Sequence, residues 1–237
     1  FCKERIETGR MYVMNIDHCN DHSSFTDKIK MSNLCQEITL PTTPLSHIDD
    51  NCNTDAEIAL CVLSAINVGA IKLSELKDIC TNIVRALDSV IEYQLYPVGA
   101  SMKMLKRRSI GVGITNLAYY LAKNDVTYDN PEACNIVDEL MENIQYNLIR
   151  ASVQLAKEKG KCEYFDRTKY ADGILPIDTY KKDLDEIIKR KLSYDWNTLR
   201  KNIRNNGLRH STLSAQMPSE SSSIVSNATN GVEPPRD

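Results

Sequence analysis

No two cysteines of this sequence form a CxxC pair, and no Cys/His cluster has the spacing of a zinc site. His18 and Cys19 are adjacent, which is poor ligand geometry without further partners. No apolar run approaches the length of a membrane span. The start, Phe1-Cys2-Lys3-Glu4-Arg5, is charged and lacks the apolar core of a signal peptide. No excess of positive charge is present: 29 basic and 32 acidic side chains give a net charge of -3, so non-specific nucleic-acid binding is not suggested. Internal repeats, low-complexity segments and a GxGxxG fingerprint are also missing. What remains is a chain of 237 residues, 42% hydrophobic and 26% charged, which fits one large globular domain or two small ones.

Eight cysteines stand at positions 2, 19, 35, 52, 61, 80, 134 and 162. Scattered cysteines without an export signal read as reduced, cytoplasmic thiols that act, where they act at all, by redox or nucleophilic chemistry. There is no initiator Met, and the last residues, 233–237, run straight out of a structured-looking segment. The expectation is a single partial domain over 1–237, truncated at both ends: a piece of a longer polypeptide or one chain of a split protein.

Ser-Asn-Leu-Cys-Gln-Glu (32–37) carries the most chemistry per residue. In an extended chain Asn33, Cys35 and Glu37 share one side, and Leu34 faces the other way, where it could anchor the segment in a core. The thiol can act as nucleophile or hydrogen-atom donor, the carboxylate can take a proton, and the amide can hold a hydroxyl or oxyanion. On spacing alone an ordinary strand with a buried Cys is the simpler reading.

Before it, residues 11–16 are a β-rich run, and the polar residues 17–24 are either a loop at a strand's carboxyl end or a solvated turn. Residues 55–68 are apolar on both faces, as a buried parallel strand would be, although a helix is possible; Cys61 lies mid-segment as a core thiol. Residues 74–93 repeat apolar side chains at i, i+3, i+4 and i+7, with Ser74 as N-cap and Cys80 in the core stripe. The basic run 103–109 reads as a solvated face, and the two glycines of 110–116 as close packing against a neighbour. Asn130 and Pro131 open the longest helix, Gly160 is placed to end it in the left-handed conformation, and Cys134 sits on or beside its stripe as a structural thiol. Residues 177–191 read as a polar surface helix, and 196–206 as a short helix stopped by Gly207.

Residues 212–216 have strand character, Met217-Pro218 breaks them, and Ser219-Glu220-Ser221-Ser222-Ser223 opens a helix. A helix start rich in hydroxyls suits phosphate; a Ser-capped helix with no ligand is the alternative.

Together these stretches resemble the large, catalytic subunit of class I ribonucleotide reductases. The likeness is carried by residues 32–37 with Leu-Pro-Thr (40–42), by 58–67, by Gly-Ile-Leu-Pro-Ile-Asp-Thr-Tyr-Lys-Lys-Asp-Leu (173–184), and by 207–209, 211–215, 217–220 and 226–236. It covers essentially the whole chain. The resemblance implies an α/β fold: part of a ten-stranded α/β barrel built from two five-stranded halves, incomplete in this chain, with Cys35 at the tip of a central finger loop. It implies that Cys35 becomes a thiyl radical and abstracts the ribose 3′ hydrogen, that Glu37 takes the 3′-hydroxyl proton, and that Asn33 holds substrate and carboxylate by hydrogen bonds. Cys61 matches one of two cysteines that reduce the 2′ position and end as a disulfide; its partner is expected outside this chain. Pro218, Ser219, Glu220, Ser221 and Ser222 match the loop that holds the substrate diphosphate.

The implied partners are a ribonucleoside diphosphate, a small metal-containing subunit that supplies the radical, the remaining large-subunit segments or chains, and thioredoxin or glutaredoxin as reductant. No metal or cofactor is expected on this chain itself, and ATP and dNTP effectors are expected to bind segments outside it. None of the 11 tyrosines is given a radical-relay role. Two other functions compete: a related reductase using another radical source, and a non-catalytic remnant that only associates with partner chains. A thiol hydrolase fits less well, because no His is evidently positioned to activate Cys35.

Overall fold

β1 (Val62–Asn67) and β2 (Ile110–Thr115) pair in parallel, in the register Val62 to Ile110 through Asn67 to Thr115. A third segment, 212–215, runs along the other edge of β2. Ile110 N–H donates to Thr212 O, Val112 N–H to Leu213 O, and Ala215 N–H to Val112 O. β2 is therefore the middle of an open parallel layer and is buried at every position. The computed structural model describes residues 1–47 and 55–235; Cys52 lies outside them. Parallel neighbours need crossovers, which helices supply. In chain order the helices are α1 (Cys2–Thr8), α2 (Ile16–His22), α3 (Leu76–Tyr93), α4 (Met104–Arg107), α5 (Leu117–Lys123), α6 (Pro131–Lys159), α7 (Pro176–Thr179), α8 (Trp196–Asn206) and α9 (Glu220–Val225). Among the described residues no helix is long and apolar enough to cross a membrane.

The main core lies between the layer and the α3–α6 pair. Leu76, Cys80, Val84, Leu87 and Ile91 of α3 are buried at i, i+4, i+3 spacing against Leu140, Ile144, Leu148 and Leu155 of α6. The Asn130 side chain accepts the Glu132 N–H at 2.9 Å and Pro131 takes the first helical position, so α6 starts where its caps place it. α8 likewise spans 196–206, with Asp195 accepting the Thr198 N–H at 2.9 Å and Gly207 ending it at φ 72°.

Alternation along β2 sends Ile110, Val112 and Ile114 into this core and Gly111 and Gly113 to the opposite face. There the 212–215 backbone comes close: a carbon added at Gly113 would lie 2.5 Å from Ala215 O. On that face sits a second, smaller cluster of Phe25, Ile29, Ile38, Leu40 and Ala215, with Ala59 and Cys61 packed against it.

Several expectations need correction. Residues 11–16 make no strand, and the supposed polar loop is helix α2; its Ile16 and Cys19, three residues apart, both pack on the second cluster. Residues 55–61 are irregular, and β1 is only partly buried, with Leu63 37% exposed. Ser74 does not cap α3; the Glu75 carboxylate accepts the Lys72 N–H at 2.8 Å across a short turn instead. Gly160 ends α6 with φ 88° but an extended ψ of 154°, not the left-handed helical pair. Cys134 is exposed. The surface helix over 177–191 is absent: α7 stops at Thr179, Tyr180 is extended, and Lys182–Glu186 forms a short 3-10 turn. Asp178 holds the chain there, accepting from Leu175 N–H at 2.7 Å and pairing with Arg200. The basic run is not solvated either, since Arg107 and Arg108 are buried.

Candidate active site

Asn33, Cys35 and Glu37 do not line one side of a strand. They form a tight turn whose limbs meet at the antiparallel bridge between Ser32 and Thr39. Asn33 N–H donates to Ile38 O at 3.3 Å, Gln36 N–H donates to Asn33 O at 3.2 Å, and the Asn33 side-chain oxygen accepts the Ile38 N–H at 3.3 Å. An Asn is suited to that post, since its short amide satisfies turn backbone. Gln36 takes φ 61°, the left-handed region, which reverses the chain in one residue. Leu34 and Cys35 project from the turn; Leu34 is 78% exposed and anchors nothing.

Glu37 lies on the returning limb, where Ile38 and Leu40 bury themselves in the second cluster. Its Oε2 is shielded from solvent and has no hydrogen-bond partner among the described residues. A buried, unpaired carboxylate oxygen is costly and calls for an explanation. Glu37 borders a cavity of about 270 Å³ shared with Ser24, Lys169, Thr212 and Ser214. Asn33 borders a neighbouring, mostly apolar cleft of about 550 Å³ whose far wall holds Glu57, Ala59 and Cys61.

Cys61 immediately precedes β1 and is half-buried. Burial, and secondarily the charge of Glu37, pushes its thiol up to about 11. At neutral pH it is a thiol, a poor nucleophile but a competent donor of hydrogen. Burial, only partly offset by nearby arginines, pushes Cys80 and Cys162 up to about 12 in the main core, and neither lines the two clefts beside the turn.

Residues 218–222 form a separate group at the carboxyl ends of the strands. Asn116, at φ 70°, gathers three segments there: its Nδ2 donates to Asn67 Oδ1 at 2.8 Å, its Oδ1 accepts the Thr229 N–H at 3.0 Å, and its N–H donates to Thr229 O at 2.9 Å. The Ser219 hydroxyl donates to Asn230 Oδ1 at 3.0 Å and accepts the Gly231 N–H at 3.1 Å. It is thus committed to shaping the loop, while Pro218, Glu220, Ser221 and Ser222 are exposed. The structure brings Cys61 together with the turn of Asn33 and Glu37, and holds residues 218–222 through its own contacts.

Sequence reading passed over Asp27, Glu57 and Arg107, which flank the turn in an ion-paired cluster. One signal was available: Arg107 and Arg108 stand just before the uninterrupted apolar run 110–114, where a charge needs a partner.

The family described as "Ribonucleotide reductase, barrel domain" matches residues 1–237. The ribonucleoside-diphosphate reductase subunit alpha of Buchnera aphidicola subsp. Schizaphis graminum is 55% identical over 244 positions, covering 100% of this chain and 32% of its own length. The corresponding reductase 1 subunit alpha of Escherichia coli K12 is 54% identical over 99% of this chain and 31% of its own. That of Enterobacteria phage T4 is 46% identical, over 98% and 31%. This chain therefore spans about a third of the length of these relatives, and throughout that span it belongs to the ribonucleotide reductase barrel-domain family.

Proposed function

We propose that this chain carries the reaction centre of a ribonucleoside-diphosphate reductase. One observation bears most of the weight: a tight turn presents Cys35 beside Glu37, whose buried oxygen lacks a partner and whose charge reaches the protonated thiol of Cys61. A radical at the Cys35 sulfur takes the 3′ hydrogen atom of the substrate ribose. The Glu37 carboxylate accepts the 3′-hydroxyl proton as the 2′-hydroxyl departs, and an unpaired oxygen is free to do so. Cys61 and a second cysteine outside this chain supply two hydrogens and end as a disulfide. One hydrogen leaves with the 2′ oxygen as water, and the other finishes on the 2′ carbon. Glu37 gives its proton back to the 3′ oxygen, and Cys35 returns the 3′ hydrogen atom to the 3′ carbon and regains its radical. A thiol raised to about 11 suits Cys61 to this duty, because the hydrogens must be present when they are needed.

Asn33 positions the substrate hydroxyl and the carboxylate. Pro218, Ser219, Glu220, Ser221 and Ser222 hold the diphosphate, with Ser219 setting the loop's shape and the others facing the guest. In this reading β1, β2 and 212–215 are three strands of a ten-stranded barrel, and the turn tips its central loop. The radical comes from a small metal-bearing subunit, and thioredoxin or glutaredoxin reloads the cysteine pair.

The test is diphosphate reduction by the protein as its gene encodes it, combined with a radical-bearing small subunit and any further barrel segments. Cys35→Ser should abolish reduction and leave assembly intact; surviving turnover sinks the radical assignment. Cys61→Ser should stop sustained turnover with a thioredoxin-type reductant. A correctly assembled wild type that reduces nothing would point instead to a purely associative role.

A further inference from the structure

Arg107 is among the largest fully buried side chains, 2% exposed, and the chemistry above makes no use of it. It closes α4, three residues before β2. Its guanidinium reaches two acids, one before the Cys35 turn in sequence and one after it. Nη2 lies 2.9 Å from Asp27 Oδ2 and 2.9 Å from Glu57 Oε2, and Nε donates to Glu57 Oε1.

Asp27 belongs to the chain entering the turn, between Phe25 and Ile29 of the second cluster. Arg167 also holds it, with Nε 2.8 Å from the same Oδ2. Glu57 belongs to the chain leaving the turn, four residues before Cys61. Its backbone exchanges both hydrogen bonds with Thr43, at 3.0 and 3.1 Å. The Phe25 and Tyr164 rings lie 5.5 and 5.1 Å from the guanidinium carbon. Arg107 O accepts the Ser211 N–H at 3.1 Å, which ties the same residue to the approach of 212–215. Entry limb, exit limb and strand layer thus converge on one side chain. Only a planar fork with several donors can bridge two carboxylates in this way; a lysine offers one point charge.

We propose that Arg107 is a positioning residue that clamps both limbs of the Cys35 turn to the foot of β2 and so sets the turn's place relative to Cys61. Its kinetic consequence rests on the function proposed above, whereas its structural consequence rests on the contacts alone.

Arg107→Lys keeps the charge and removes the bridge. It is examined in the protein as encoded, by amide hydrogen exchange and by turnover with the small subunit. Exchange at Asn33, Gln36 and Ile38 should quicken at least tenfold while α3 and α6 keep their protection. kcat should fall tenfold or more, with KM for the diphosphate changed less than twofold. Asp27→Asn, which removes one tether and leaves the Glu57 pair, serves if the first variant does not fold, and should quicken exchange at the same three amides. Unchanged exchange at the turn overturns the clamp, and so does acceleration spread evenly through α3 and α6. A wild type without reductase activity removes the function proposed above and leaves the exchange result to judge the clamp.

Discussion

On one face of β2, Ile110, Val112 and Ile114 meet two long helices, and the contact is apolar throughout. On the other face Gly111 and Gly113 make room for a neighbouring backbone, and a five-residue cluster supports a turn with an exposed thiol and an unpaired carboxylate. The first face is built from many apolar contacts between long, regular elements. The second hangs on few contacts of high specificity: an ion-paired arginine, a left-handed Gln36 and an Asn33 amide inside the turn. A site requires exposed and unsatisfied groups, and stability must then come from elsewhere in the chain.

The sharpest way to break that contrast is to truncate one buried aliphatic on each side. Leu148 in α6 and Ile29 under the turn are both fully buried. Leu148→Ala should cost about 3–5 kcal/mol in denaturant unfolding, because rigid helices leave the cavity open. Ile29→Ala should cost less, about 2–3 kcal/mol, because a small cluster at the layer's edge can collapse into the gap. Equal losses would erase the distinction.

Gly113→Ala tests the close approach itself. The new carbon would meet Ala215 O at 2.5 Å, a backbone atom that cannot swing aside. A loss of about 1–3 kcal/mol is expected. Gly111→Ala should be milder, since it meets the rotatable end of Leu63 at 2.7 Å and the Ala215 methyl at 2.9 Å but no backbone atom closer than 3.8 Å. The reverse order would mean that 212–215 can retreat from β2.

Beside the main core lies a buried polar cluster that pH addresses. His210 is fully buried, with Nδ1 3.0 Å from Ser152 Oγ and Nε2 3.3 Å from Asp88 Oδ1. Asp88 also meets Arg108, Arg209 and Lys159. Burial lowers the His210 pKa, and the nearby Asp88 carboxylate only partly opposes that, with Arg108 and Arg209 adding repulsion. The folded chain therefore binds the proton less readily than the unfolded chain, so stability is complete above pH 6.5, the ordinary histidine value, and is lost as pH falls below it. The loss should grow steadily as the pH falls below 6.5, and a urea titration repeated across that range reads it. His210→Gln should flatten the slope in that window. Asp88, held well below the usual carboxylate range because His210 and Arg108 outweigh its burial, adds a separate loss only under much stronger acid.

The same contrast explains which parts of the fold could be read from sequence. The stripe and caps of α6 and the bounds of α8 follow from local rules, and these helices lie where those rules put them. The β-rich run before residue 17 misled because α2 is held from outside its own sequence. Asn20 Nδ2 donates to Ile16 O and Ile29 O, and its Oδ1 accepts the Ile29 N–H. Arg107 and Arg108 resembled a solvated run because their acids stand 80, 50, 20 and 16 residues away. In the candidate site, the residue types at 33, 35 and 37 were legible as chemistry, whereas Cys61 read as a core thiol until the family resemblance singled it out. Their geometry was not, since alternation assumes an extended chain and the left-handed Gln36 replaces it with a turn.

Leu34 gives the smallest effect and a clean check on that last point. In an extended segment it would point into the core, and Leu34→Ser would cost what a buried leucine costs. In the observed turn it is 78% exposed, and its neighbours' backbone bonds run through Asn33, Gln36 and Ile38 instead. Leu34→Ser should then shift unfolding by less than about 0.5 kcal/mol, the range of surface substitutions. A loss above about 2 kcal/mol would mean that the leucine is covered in the working protein. The thiol beside it would then be shielded by whatever covers Leu34, which a thiol-alkylation rate at Cys35 would report independently.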